Sequence, residues 1–151
     1  MPRPTDETYI VDLCDDVLGM TAQRGHRFDF LLGDPTRRGT RVRLPVDAYY
    51  PALKLVVEYH ERQHIEPSPF FDKRIAANGL SRGEQRKSYD LRRHEILPAN
   101  GITLIVLGFH EFEHNGQKRL RRVDRDRDRQ IIRSRLAGIL GPERPADQFT
   151  R

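Results

Sequence analysis

The chain has 151 residues, 36% of them apolar and 32% charged, which suits one soluble domain built round one core. No run is apolar for long enough to cross a bilayer, the N-terminal MPRPTDETYIVD lacks a basic-then-apolar leader pattern, and a single cysteine, Cys14, excludes an internal disulfide; a cytoplasmic protein with no membrane partner is expected. Net charge is +5, and 23 of the 27 basic residues are arginine, whose planar fork suits phosphate oxygens, although GC-rich coding gives the same bias.

Residues 5–18 predict the first helix. Thr5 suits the N-cap, Asp6 and Glu7 the first turn, and Gly19 the stop. Ile10, Cys14 and Val17 give it an apolar stripe. Glu7, three residues before Ile10, falls on that stripe, and its plainer reading is a first-turn acid that satisfies the helix dipole. Residues 28–32 form a short apolar strand closed by Gly33-Asp34-Pro35. Residues 41–49 alternate and predict a second strand, and residues 53–59 predict a central third one. Residues 64–79 are irregular. Ser81-Arg-Gly-Glu84 then has the pattern of a capping box, opening a helix that runs to about residue 96. Residues 102–107, ITLIVL, predict a buried strand. A charged segment follows, and Ile131, Ile132, Leu136, Ile139 and Leu140 give it a helical apolar stripe. The expected order is helix, three strands, helix, strand, helix: an α/β domain with a mixed sheet, a core over about 5–107 and a C-terminal helical extension over about 117–140.

The chemistry concentrates in residues 44–64, LPVDAYYPALKLVVEYHERQH. Asp47 ends one apolar run and Glu58 lies inside the next, with a tight connection between them. If the two runs form a hairpin, the carboxylates come side by side near one edge of the sheet. Carboxylates so gathered repel one another unless a cation sits among them, which predicts a site for Mg²⁺ or Mn²⁺. His60, two residues past Glu58, shares its strand face and could position or deprotonate a water. Gln63 and His64 lie just beyond the expected strand end, where they could line the same site. The bland reading makes both acids surface partners of the many arginines. It is weaker for Glu58, because a buried acid costs several kcal/mol unless it is paired, ligated or protonated.

This stretch, with its place in an αβββαβ order, resembles the PD-(D/E)xK nuclease superfamily, the restriction-endonuclease-like fold. The resemblance covers about residues 5–107. VDAYYPALKLVVEYHERQH and YDLRRHEILPANGITLIVL look most like the branch related to very-short-patch repair endonucleases. It implies a DNA endonuclease or nickase that acts on duplex DNA, alone, as a homodimer or within a larger defence or repair complex. It implies Asp47 and Glu58 as metal-holding acids, Glu7 as a further acid, and His64 as the histidine that follows the third strand. Two departures stand out. His60 occupies the position usual for lysine, and Val46 separates Pro45 from Asp47, so the Pro-Asp dipeptide is absent. A catalytically inactive nucleic-acid- or partner-binding domain of the same fold is therefore the alternative.

For nucleic-acid contacts the second helix offers Gln85, Arg86 and Arg93, on a polar face whose bland reading is solvation. The alternation of arginine and aspartate after residue 119 favours internal ion pairing on a solvated face. Tyr49, Tyr50, Phe70 and Phe71 are expected to anchor the core or loops. His110-Glu111-Phe112-Glu113-His114 matches H-E-x-x-H, the helical zinc signature of metalloproteases. It follows a strand at once and meets Asn115-Gly116, so a surface loop is expected there instead.

Overall fold

The computed structural model describes residues 3–61 and 82–141. It opens with α1 (Asp6–Leu18), set by the signals its sequence carries. The Thr5 side chain accepts from the Thr8 amide, and Gly19, at φ 67°, returns its own N–H to the Asp15 carbonyl. Three strands follow: β1 (Gln23–Leu32), β2 (Arg43–Tyr50) and β3 (Leu55–His60). Then come α2 (Arg82–Ala99), β4 (Thr103–Gly108), α3 (Arg125–Arg135) and the short α4 (Ala137–Leu140).

The sheet has the order β1-β2-β3-β4. β1–β2 and β2–β3 are antiparallel, and β3–β4 is parallel, so the fold is α/β with a four-stranded mixed sheet. One face carries Ala48, Val57 and Tyr59, packed with Ile10, Leu13 and Cys14 of α1 and Ile132 of α3. The other carries Val46 and Val56 beneath Leu97 of α2. The central position of β3 explains its near-continuous burial.

Several boundaries differ from those expected, for local reasons. β1 starts at Gln23 rather than 28 because its polar first half is recruited by the backbone, with Gln23 opposite Tyr49 and Arg24 opposite Ala48. β2 starts two residues late. β3 starts at Leu55 because Pro51–Leu53 form a 3₁₀ turn, closed by Lys54 at φ 47°. α2 extends past residue 96, with Pro98 in its last turn. The capping serine, Ser81, lies outside the described residues, as do Phe70 and Phe71.

The C-terminal extension becomes helical only at Arg125. Before that, Asp6 accepts from the Leu120 amide at 3.0 Å and pairs with Arg122 at 2.6 Å, which ties the segment to the start of α1 in a non-helical conformation, with Arg122 itself at φ 58°. Asp124 then caps α3 through the Arg127 amide. The Arg–Asp alternation is not a wholly solvated face: Asp128 is buried and accepts from the Tyr9 hydroxyl at 2.5 Å. Arg125 and Arg129 instead tie α3 to Asp16 of α1. Among the described residues no helix is long and apolar enough to cross a membrane.

Candidate metal centre

β2 and β3 pair from Tyr50/Leu55 to Ala48/Val57, and there their ladder ends. Beyond that point β2 continues against β1, while β3 continues against β4 through Glu58/Val106, Tyr59/Leu107 and His60/Gly108. The two central strands thus part as a fork, and Asp47 and Glu58 stand at its crotch. This differs from the lateral edge expected from the sequence: the acids lie mid-sheet, on the inner strands. Parting frees backbone amides that need acceptors, and the two carboxylates supply them. The Asp47 amide donates to Glu58 Oε2 at 2.5 Å, and the Tyr59 amide donates to Asp47 Oδ2 at 2.8 Å.

β2 also changes faces here, since Val46 packs on the α2 side and Ala48 on the α1 side. The neighbouring strand accommodates the twist at Gly25, which lies at φ 65° between the partners of those two residues. A left-handed backbone is cheap for glycine alone. Asp47 is therefore presented between the two helical layers. From the α1 side, the Glu7 carboxyl comes within hydrogen-bonding reach of Asp47. From the α2 side, Arg93 approaches Glu58 Oε1 at 3.5 Å.

The electrostatics follow from this crowding. Glu58 is only 5% exposed, and burial raises its pKa to about 8. The Asp47 charge pushes the same way, against the Asp47 N–H and Arg93. Glu7 is exposed as a residue, but its carboxyl end has lost hydration beside Asp47; that loss, with the Asp47 charge and hydrogen bond, raises it to about 7. A cation among these carboxylates would oppose both shifts. As they stand the acids meet in pairs, and among the described residues no group of three or more His, Cys, Asp or Glu side chains is drawn into metal-binding range. The donor set is all hard oxygen, and Mg²⁺ needs only one or two carboxylates when substrate phosphates and waters complete its shell. Asp47 and Glu58, with Glu7 beside them, fit such an ion.

The other site candidates divide. His60 ends β3 opposite Gly108, on the strand face of Glu58 and two residues from it. Gln63 and His64 lie outside the described residues. Arg93 is largely enclosed, and its guanidinium is engaged by the Pro45 carbonyl at 3.0 Å, Asp90 at 3.1 Å and Glu58. It is a brace for the acid from the helix, which the sequence did not reveal; only Asp90, one turn earlier, hinted at a partner. Gln85 donates to the Tyr89 hydroxyl two turns before Arg93, and Arg86 is exposed. The histidines of the H-E-x-x-H match fall on a 3₁₀ turn (Phe109–Glu111) and the extended backbone after it. They do not occupy successive turns of an α-helix, and Glu111 is committed to the Gly108 amide and Arg135.

No protein-family model, no curated protein and no solved structure matches the chain.

Proposed function

We propose that this chain is a metal-dependent DNA endonuclease or nickase of the restriction-endonuclease-like class. The observation that carries the reading is the fork, where Asp47 and Glu58 meet with Glu7 beside them, on β2, β3 and α1 of an αβββαβ order. Asp47 and Glu58 would hold Mg²⁺ or Mn²⁺, with Glu7 as a further acid. Such an ion neutralises charge developing on a phosphodiester and lowers the pKa of a bound water. The residues of the chain set up that chemistry. Arg93 and the Asp47 amide fix the Glu58 carboxylate, and the Tyr59 amide fixes that of Asp47. His60, where the family it resembles has a lysine, would orient the attacking water through its imidazole. Duplex DNA is the proposed substrate.

One observation favours a second reading. The cation nearest Glu58, Arg93, is spent on Pro45, Asp90 and Glu58, and His60 replaces the lysine. A catalytically inactive domain that binds nucleic acid would keep the same fork. Plasmid DNA incubated with Mg²⁺ or Mn²⁺ separates the two. The nuclease reading expects nicking that Asp47→Ala and Glu58→Ala each abolish. Cutting that survives both changes, or depends on His110 and His114, overturns it. Binding without cutting in any divalent metal supports the inactive domain.

A further inference from the structure

A cavity of about 350 Å³ lies between α2 and the loop that joins β1 to β2. Its walls include Val42, Leu44, Pro45 and the Tyr89 ring, with Gln85 reaching in from α2. Arg27 and Arg43, both exposed, border the same space. We propose that this cavity holds one unpaired nucleotide of a nucleic-acid substrate, its base between the apolar walls and its phosphate on the two arginines. The proposal deepens the nuclease reading and rests on it for the choice of substrate class.

Three features carry it. First, the walls are fixed in advance. The Asp34 amide donates to the Tyr89 hydroxyl at 2.9 Å, and Arg92 ties the loop to α2 through the Leu32 carbonyl at 2.8 Å and Asp34 at 2.7 Å. A methyl group at Gly33 would stand only 3.0 Å from the Tyr89 oxygen, so loop and helix are in close apposition. A preformed apolar cleft of this size with a few polar groups is the usual form of a small-ligand site. Second, the chemistry matches a nucleotide at both ends. Gln85 spends one N–H on the Tyr89 hydroxyl at 3.2 Å, and its amide carries a carbonyl and a second N–H suited to a base edge. Arg43 pairs with Asp29, whose side chain is 93% exposed, so that contact is weak and yields to a phosphate. Third, the cavity is linked to the acids through Arg93. Pro45 forms part of its wall, and the Pro45 carbonyl is held by Arg93, the brace of Glu58. A nucleotide seated there would bring its neighbouring phosphodiester toward the fork.

The test uses the full chain, ¹⁵N-labelled, in EDTA, titrated with a short DNA duplex carrying one unpaired nucleotide and with the same oligomer made abasic at that position. The proposal expects the Gln85 side-chain amide resonance to move with the binding isotherm, and the abasic oligomer to bind about tenfold more weakly at best occupancy of that position. Val42→Trp fills the cavity from an exposed position, so folding tolerates it, and should remove both effects with an unchanged melting temperature. Gln85→Ala should weaken the intact oligomer without altering the abasic one. A Gln85 resonance that stays still, or Val42→Trp protein that still separates the two oligomers, overturns the proposal. Because metal is absent, the outcomes separate: metal-dependent cleavage with a silent Gln85 sinks only the cavity, and a responsive Gln85 without cleavage sinks only the nuclease.

Discussion

Replacing Glu58 by glutamine tests whether the fork stores electrostatic strain. Glu58 is 5% exposed and its pKa is raised to about 8 by burial first and the Asp47 charge second. An acid whose folded pKa lies above its unfolded value of 4.5 binds its proton more tightly when folded. Folding stability from this group is therefore intact below about pH 4.5, falls as pH rises through the window to about 8, and levels off above it. Each proton taken up on folding gives a slope of about 1.4 kcal/mol per pH unit, so over the 4.5-to-8 window the cost of ionised Glu58 is at most about 5 kcal/mol. Glutamine keeps an acceptor for the Asp47 amide at 2.5 Å but neither titrates nor repels Asp47. Urea unfolding in EDTA should find the two proteins within about 1 kcal/mol at pH 5, and Glu58→Gln more stable by about 4 kcal/mol at pH 8.5. A variant less stable than the parent by a constant amount across that range would refute this. It would mean that Glu58 is ionised throughout and that its ion pair with Arg93, at 3.5 Å, outweighs desolvation.

Other consequences follow from the same geometry. At pH 7.5, Mg²⁺ binding should release about one proton, because an ion between the acids displaces the protons that burial and Asp47 hold on Glu58 and Glu7; calorimetry in two buffers of different ionisation enthalpy reads this directly, and metal binding without proton release would contradict it. Gly25→Ala should cost about 1–2 kcal/mol in urea unfolding, through the backbone alone, since φ is 65° and nothing lies within 4 Å of the added carbon. Arg93→Met removes the cation from Glu58 and Asp90 and should raise the Glu58 pKa further; carboxyl NMR shifts followed with pH would show no change if Arg93 were only a surface contact.

Much of this was legible in the chain, and the exceptions have physical causes. The caps Thr5 and Gly19, the hairpin and the buried run of β3 all express local signals of propensity and periodicity. The first half of β1 was silent because a polar edge strand is paid for by its backbone ladder rather than by apolar side chains. The late start of α3 came from Asp6, more than a hundred residues away, which captures Leu120 and Arg122 and keeps that stretch out of the helix. The burial of Asp128 likewise depends on Tyr9. At the candidate centre, spacing brought out Asp47 and Glu58. It said nothing of the fork itself, which forms because β1 and β4 draw the two inner strands apart, nor of Arg93, whose partner lies on another element. Glu7 was visible only as a position on the inward stripe of α1.

The central claim is that Asp47 and Glu58 share a divalent cation. Crystals grown with Mn²⁺ would decide it by anomalous scattering. The account predicts a peak between the two carboxylates, about 2.1–2.2 Å from an oxygen of each. A Mn²⁺ peak elsewhere, on His110 or His114 for instance, with none at the fork, would contradict it.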